Sequence, residues 1–516
     1  MNVAVDSEKL PKLEDYVFLS DPMSTEVFIV WRDGRIVQQT PVDDWHVKKR
    51  SQCCDALVRL TDLGQAPFRF SWLSGWLPVL CVDDAKGKHF ELFAQGQHLL
   101  LCTESQAWRF PDKQPLEIQK FDEARKAARE FWERWIGRCR QLSSLPGYLD
   151  HAWRSSLVQA RMAYSGRHPH YGVGHYGRYV GDGFPPTTLS MVDCLLDYNN
   201  CDEAFSLLDY FVKRFIMDDG QIAYYGPSLS EYGGLLVLFA KIADFPGGLD
   251  WLRERLTTIR HLLTWIIAQR GPTTPLFFGS PEADTHDDKG VYLHNNAMIW
   301  RGFRQWTRAA GLLGEKEMAL ETQVQAHDLG VYLNKEIDTK RNPDGLVPSR
   351  LDRQENFKSF VRCLAGTYAN YRYYPELLEA GFLSGDDTLA VIKARETMDG
   401  EAYGMTRFRH EVTWGPPWID DWPLASYARG LLELGERSRF MKALAGHAMH
   451  SMTRDTFTAY GQLDLEGSPR RAIADFCVPV QLVLPGMLSW SFQYKKYDGT
   501  IVEWGGPEKT LFELEK

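Results

Sequence analysis

The feature that most constrains the fold of this chain is an alternation of long and short connections between helical segments. From Gly147 onward we count twelve segments with apolar residues at helical spacing, most clearly from Leu252 to Ile266. The short links lie at Asn199–Asp202, Pro246–Gly248, Gly311–Glu315, Gly381–Asp386 and Gly435–Arg437. The long connections lie at Gly166–Pro186, Asp218–Pro227, Gly271–His294, Lys335–Asn356, Asp399–Asp421 and Thr453–Asp475.

Short links join antiparallel helices, so every long connection leaves the same end of the bundle. The alternation therefore predicts six helical hairpins closed into a ring, an (α/α)6 barrel with six long loops on one face. Because long loops without secondary structure are uncommon in compact domains unless they are functional, this face is the expected active face.

The first part of the chain has a different pattern. Residues 26–37 contain a strand, an Asp-Gly turn and a second strand, and further short apolar runs follow up to residue 102. We predict a mainly α chain with a β-sandwich domain over residues 1–118, a linker helix within 119–146, the (α/α)6 barrel over 147–490 and a β-hairpin tail over 491–516.

Composition excludes several classes of function. A formal charge of −9 makes nucleic acid a poor partner, since a phosphate backbone requires a cationic face. No apolar run approaches the roughly 18 residues of a membrane span. The start of the chain is charged and shows no secretory pattern, and nine cysteines are an odd number without a disulfide framework, so we expect a cytoplasmic protein. A homo-oligomer is left open.

Three loop segments precede helices of the predicted ring, namely Gly181–Pro186, Gly279–Asp284 and Trp418–Trp422. Together with the hairpin pattern, they resemble the six-hairpin (α/α)6-barrel glycosidases, the glucoamylase-like group of enzymes. The resemblance covers about residues 20 to 490 and implies a fold of this class and hydrolysis of a glycosidic bond, commonly with inversion. It places the general acid in the loop before the sixth helix and the base in a loop nearer the C-terminus. Asp182 is most simply a turn residue, but the resemblance implies that it holds a terminal sugar.

The loop before the sixth helix carries the candidates for the acid. Glu282 is our first choice and Asp284 the second, because Pro281 stiffens the chain there and the preceding phenylalanines can desolvate a carboxyl group and raise its pKa. A solvated acidic turn or a cation site is the alternative interpretation of this segment.

The base is predicted among Asp420, Asp464 and Glu466. Asp421 can cap the following helix, whereas Asp420 has no such explanation. The last long loop supplies the other two acids, although Gly461 stands where an acid is half expected. Trp414, Trp418 and Trp422 would form an aromatic wall for a sugar ring.

Further residues are candidates for substrate binding. Glu231 fits a capping box with Ser228 and could also face the cleft. The first long loop holds His170, Tyr171 and Arg178, and a His–Tyr pair can also serve β-elimination in lyases.

Cations in the loops suggest an acidic sugar, with Arg353 or Arg407 as a bidentate clamp for a uronate. We find no spacing typical of a metal site, and no nucleotide, dinucleotide or nucleophile-elbow motif, so no metal and no cofactor are expected. The sequence thus predicts an inverting, exo-acting glycoside hydrolase whose partner is an oligosaccharide or glycoside. A lyase or phosphorylase on the same scaffold, or a non-catalytic carbohydrate-binding protein, is the alternative.

Overall fold

The computed structural model describes residues 16–39, 56–171, 181–182, 185–223, 228–282, 288–409, 418–464, 471–472 and 476–512. The chain divides into two compact units. The helical unit comprises the described parts of Cys201–Ala443 and Tyr494–Val502. The mixed unit comprises the described parts of Val5–Asn200, Leu444–Gln493 and Glu503–Lys516. The domain boundaries given above remain a prediction.

The strands of the mixed unit begin with two antiparallel sheets whose strands follow chain order, so that neighbours are joined as hairpins. The first sheet is β1 Tyr16–Ser20, β2 Val27–Trp31, β3 Arg35–Gln39 and β4 Val58–Arg59. The second sheet is β5 Arg69–Leu73, β6 Leu77–Asp83, β7 His89–Gln95, β8 His98–Cys102, β9 Ala107–Phe110 and β10 Gln114–Leu116.

The two sheets share one apolar core. Phe28 and Val30 of β2 lie in the same buried cluster as Leu80 and Val82 of β6. Period-two alternation puts these side chains on the inner faces. The predicted β-sandwich is confirmed.

The helices follow in chain order. When interrupted helices are counted once, the described residues after the linker helix hold twelve helical segments, in agreement with the sequence prediction. Two of them contain a π-helical turn, Ala369–Tyr373 and His447–Ser451. The helices are α1 Ile118–Gly137, α2 Gly147–Met162, α3 Pro185–Asp197, α4 Cys201–Phe215, α5 Leu229–Ile242, α6 Gly248–Glu254, α7 Leu256–Ala268, α8 Leu293–Leu313, α9 Lys316–Lys340, α10 Leu364–Tyr368, α11 Tyr374–Ala380, α12 Gly385–Thr397, α13 Leu424–Leu434, α14 Arg437–Gly446, α15 Val478–Gln481 and α16 Val483–Phe492.

The remaining strands are short, and all but the last two lie in or beside the long connections. The C-terminal hairpin predicted within 491–516 is present with two residues in each strand, and the preceding Trp490 belongs to α16 and packs in the core. The strands are β11 Tyr164–Ser165, β12 His168–Tyr171, β13 Gly181–Asp182, β14 Glu401–Ala402, β15 Met405–Phe408, β16 Trp418–Asp420, β17 Gln462–Asp464, β18 Arg471–Ala472, β19 Tyr494–Lys495 and β20 Ile501–Val502. No helix in the described ranges is long and apolar enough to span a bilayer.

Within the helical unit, α5 and α8 cross at two facing glycines. A Cβ on Gly233 would lie 2.4 Å from the carbonyl oxygen of Met298, and one on Gly302 would lie 2.8 Å from the carbonyl oxygen of Gly233. Glycine therefore allows the two backbones to approach closely. This contact fixes the start of α5 beside the loop that precedes α8.

The long connections of the helical unit contact one another. Ser228 bridges Ser280, and Tyr292 bridges Arg350, so three successive connections are joined by backbone pairing. The amide of Phe360 donates to the carbonyl of Met398 at 2.9 Å and joins the next one. Four connections separated by helix pairs thus lie on one face of this unit, as their alternation with short links predicts.

Candidate active site

A cluster of three carboxylates around one arginine lies on this face. The guanidinium of Arg372 donates to Glu282 Oε2 at 3.3 Å, to Glu231 Oε1 at 3.2 Å and to Glu376 Oε1 at 2.7 Å. The arginine side chain is 7% exposed, and those of Glu231 and Glu282 are 6% and 8% exposed. The predicted acid Glu282 therefore shares a buried cation with two other glutamates.

Two consecutive asparagines at the start of α8 position the loop that carries Glu282. Asn295 accepts from the amide of Ser230 at 3.1 Å and donates to the carbonyl of Ser280 at 2.9 Å. Asn296 accepts from the amide of Phe277 at 2.8 Å and donates to its carbonyl at 3.2 Å. Because both amide side chains are fully buried, they tie this loop to α5 and α8 without competition from water.

Glu231 was expected to form a capping box with Ser228 at the start of α5, but the structure places its carboxylate elsewhere. Ser228 occupies the N-cap of α5, but its side chain makes no capping hydrogen bond in the described structure. The carboxylate of Glu231 instead receives the hydrogen bond from Arg372. A buried cation outweighs a local cap here, since a charge-assisted hydrogen bond is stronger than a neutral one.

Arg372 and Glu376 were not predicted from the sequence. They lie on either side of the junction between the π-helical turn Ala369–Tyr373 and α11. π-Turns inside helices occur frequently at functional sites. The available signal was an Arg and a Glu at i and i+4 around Pro375, a spacing that also suits an ordinary surface ion pair.

The cluster carries more negative than positive charge. Burial raises the pKa of Glu376, although Arg372 opposes this shift. Burial also disfavours the charged form of Arg372, but Glu376, Glu282 and Glu231 outweigh it and raise the pKa of the guanidinium. Three carboxyl groups facing one permanent cation cannot all ionise without cost, so the cluster favours retention of a proton.

Aromatic and imidazole rings cover one side of the cluster. His294 stacks on Tyr373 with ring centroids 4.7 Å apart, and its Nε2 lies 3.1 Å from the carbonyl oxygen of Pro281 and 3.9 Å from Glu376 Oε2. Burial lowers the pKa of His294 to about 3, so the ring is neutral at physiological pH. His294 therefore adds no positive charge to balance the carboxylates.

A second ionic network lies next to these rings. Arg350 donates to Asp288 at 2.6 Å and to Asp352 at 2.7 Å, and also to the hydroxyl of Tyr292 at 3.0 Å. Arg353 is 43% exposed and lies 3.5 Å from Glu355 and 3.8 Å from Asp288. Arg350 is committed to internal pairing, whereas Arg353 remains accessible to solvent.

Asp420 and its neighbours also belong to the helical unit. Asp420 ends β16 and is buried, and its carboxylate accepts from the amide of Trp422 at 3.1 Å. This hydrogen bond within the turn is a structural role for Asp420 that the sequence did not indicate. Asp421 accepts from the amide of Thr406 at 3.4 Å and does not cap α13, whose N-cap is Pro423. Both aspartates therefore take part in the turn that leads into α13.

The other predicted residues fall in three groups. Arg407 in β15 pairs in register with Ile419, next to Trp418 in β16, and Trp418 and Trp422 are half-buried. In the mixed unit, His170 is buried with Nε2 2.8 Å from Ser165 Oγ, and Asp464 ends β17. The side chains of Tyr171 and Asp182 lie outside the described part of the chain, as do Arg178, Asp284, Trp414 and Glu466. The roles assigned to all of these residues remain predictions.

Comparison with known proteins identifies the fold. No protein-family model and no curated protein sequence matches the chain. Among solved structures, a bacterial glucoamylase complexed with acarbose matches with a TM-score of 0.53 at 11% identity, over 92% of this chain and 85% of that one. A rhamnosidase from Klebsiella oxytoca matches with a TM-score of 0.47 at 11% identity, over 68% and 65% of the two chains. The fold class predicted from the sequence is confirmed: a mainly α chain with an (α/α)6 helical barrel preceded by a β-sandwich domain.

Proposed function

We propose that this chain is a glycoside hydrolase and that Glu282 is its general acid. The observation that carries the proposal is the buried cluster of Glu231, Glu282 and Glu376 around the guanidinium of Arg372. Hydrolysis of a glycosidic bond needs one protonated carboxyl group and one carboxylate. Three buried carboxyl groups that share one guanidinium can hold both states at neutral pH.

The place of Glu282 in the chain supports its assignment as the acid. It lies in the long connection before α8, the sixth helical segment, where the glucoamylase-like enzymes place this group. Its loop is fixed by Asn295 and Asn296, so the carboxyl group is preorganised. The base is drawn from Asp420, Asp464 or Glu466. In an inverting reaction the two carboxyl groups are roughly 6.5–9.5 Å apart, which leaves room for the attacking water.

The first step of the test is to find a substrate. A panel of aryl glycosides and oligosaccharides, with exo-action scored by release of a terminal sugar, identifies the sugar and the linkage. Proton NMR of the first product then shows whether the anomeric configuration is inverted. Activity that requires phosphate would indicate a phosphorylase instead, and an unsaturated product would indicate a lyase.

Glu282→Gln then tests the acid. Loss of general acid catalysis should lower kcat/KM by about 10²–10⁴ on substrates whose leaving group needs protonation. The loss should be far smaller on dinitrophenyl glycosides, whose leaving group departs without a proton. Glu433→Gln is the matched control, since it neutralises a half-buried glutamate that accepts from Tyr494 at 2.9 Å and has no place in the cluster. An equal loss on both substrate types, or full activity of Glu282→Gln, would refute the assignment.

The same panel tests an acidic substrate. We propose a uronate-bearing sugar because Arg353 keeps an exposed guanidinium beside the cluster, and its ion pairs with Glu355 and Asp288 in the described part of the chain are long. Planar bidentate recognition of a carboxylate is the chemistry to which guanidinium is suited. A uronide should therefore be preferred over the neutral sugar, and Arg353→Ala should abolish that preference. An unchanged preference would exclude Arg353 and leave Arg407 as the predicted clamp.

A further inference from the structure

A separate group of polar side chains lies in the mixed unit, on the outer face of the second sheet. Cys81 of β6 is directly opposite Glu91 of β7, and Asp83 is directly opposite His89. Because side chains alternate along a strand, these four residues share one face. Farther along that face, Phe93 packs against Phe121 of α1. The four polar residues therefore lie on the face of the sheet against which α1 packs.

Three of these residues bring different ligand atoms together. The sulfur of Cys81, a ring nitrogen of His89 and a carboxylate oxygen of Glu91 all lie within 4.8 Å of one another. The fourth residue, Asp83, lies 2.8 Å from Nδ1 of His89. This leaves Nε2 directed toward Glu91 Oε1, at 3.9 Å.

We propose that Cys81, His89 and Glu91 bind a divalent transition-metal ion, and their ligand atoms favour Zn²⁺. A thiolate, an imidazole and a carboxylate are the three ligand types that zinc takes in proteins. A histidine that binds a metal through one nitrogen commonly donates its other ring N–H to a carboxylate, which is the contact made by Asp83. A water would complete a tetrahedral site.

The cluster can contract to the size of a bound ion. Zinc bonds of 2.0–2.3 Å place ligand atoms about 3.5 Å apart, so the present spread requires a small inward movement. The side chain of His89 is 43% exposed and can rotate. Arg125 of α1 pairs with Oε2 of Glu91, while Oε1 faces His89 and is the oxygen available to a metal.

Charge also favours a cation at this position. Asp83 and Glu91 put two carboxylates within one pair of strands, and a thiolate would add a third negative charge. Arg125 is shared with Asp122 of its own helix at 2.8 Å, and Arg69 approaches Asp83 only at 3.9 Å. A divalent ion would neutralise the two ligand charges of Cys81 and Glu91.

Co²⁺ is the probe for this site, because a thiolate–Co²⁺ bond gives a charge-transfer absorption that Zn²⁺ then abolishes by displacement. The full chain should bind one Co²⁺ through this site with that absorption. Cys81→Ser should abolish the band, and Asp83→Asn should weaken binding about 10–100-fold.

Cys102→Ser is the matched control. Cys102 lies on β8 directly opposite Glu91, in the same row of the sheet, but it is not part of the cluster. It should keep the band, with circular dichroism confirming that all variants fold. Absence of the band in the unmodified chain, its persistence in Cys81→Ser or its loss in Cys102→Ser would overturn the proposal.

Discussion

Two glutamates on the short helix α11 lie three residues apart and have opposite electrostatic environments. Burial raises the pKa of Glu376, which shares Arg372 with two other carboxylates. Burial acts on Glu379 as well, but Arg429 and Arg301 outweigh it and hold the pKa of that carboxyl below its usual range. Arg429 donates to Glu379 at 2.6 Å.

The difference lies in the ratio of charges rather than in burial. At Glu379, Arg429 and Arg301 together outweigh burial, although Arg301 also acts on Glu433, so the carboxylate is satisfied and the arrangement is structural. At Glu376, the guanidinium of Arg372 is shared among three carboxyl groups, so burial prevails and a proton can be retained. A buried group of this second kind costs stability and indicates function, because proteins depart from local charge balance mainly at functional sites.

The largest expected effect follows from removing the shared cation. Arg372→Met leaves three buried carboxylates without their shared cation. Breaking one buried ion pair already costs about 3–5 kcal/mol of stability. The penalty falls on the ionised carboxyl groups, so it should be greatest at pH 7–8 and should shrink as the pH falls toward the ordinary carboxyl range near 4. Urea unfolding of the variant and the unmodified chain at a series of pH values measures it.

Arg395→Met is the matched control for this prediction. Arg395 is fully buried and donates to two neutral groups, the carbonyl of Asn370 at 2.8 Å and the hydroxyl of Thr406 at 3.0 Å. Glu401 and Asp421 also favour its charged form, but they do so through space. Its loss should therefore cost stability that changes less with pH than the loss of Arg372 does. A pH dependence of Arg372→Met no steeper than that of Arg395→Met would contradict the charge imbalance that we assign to the cluster.

The second-largest effect on stability is expected from substitution of Glu379, the glutamate of α11 that is paired with arginines. Glu379→Gln removes the carboxylate that Arg429 and Arg301 face, and the expected cost is about 3–5 kcal/mol at neutral pH. A carboxyl whose pKa is depressed by folding stabilises the protein above its unfolded pKa and loses this contribution as the pH falls through the folded value. The difference from the unmodified chain should therefore persist to about pH 5 and shrink only in stronger acid. A variant as stable as the parent at pH 7 would show that the pair is not structural.

The sequence predicts the fold well because its signals are local. Apolar spacing and glycine-rich links mark each helix and each turn, and their alternation gives the order of long and short connections. Glu282 could be found for the same reason, since it lies in a long loop before a helix with a proline beside it. Its placement in the described structure agrees with the expected face.

The partners of Glu282 could not be found this way. Arg372 lies 90 residues from Glu282 and 141 residues from Glu231 in the sequence, so their contact depends on the packing of separate helix pairs. The proposed metal ligands were missed for a related reason. Cys81 and Glu91 meet through strand register across a hairpin, which the spacing rules for zinc motifs do not contain.

The smallest effect on stability is expected from substitution of Glu376, the glutamate of α11 whose pKa is raised. Glu376→Gln replaces a group whose pKa is raised by folding with a neutral amide, while Arg372 keeps Glu231 and Glu282. A raised carboxyl pKa destabilises the folded chain as the pH rises from the unfolded value through the folded one. The variant lacks this penalty, so its free energy of unfolding should differ from that of the parent by about 1 kcal/mol or less at pH 7 and should fall less between pH 5 and pH 8. A loss as large as that of Glu379→Gln would mean that Glu376 is ionised and structural, and the contrast between the two ends of α11 would then disappear.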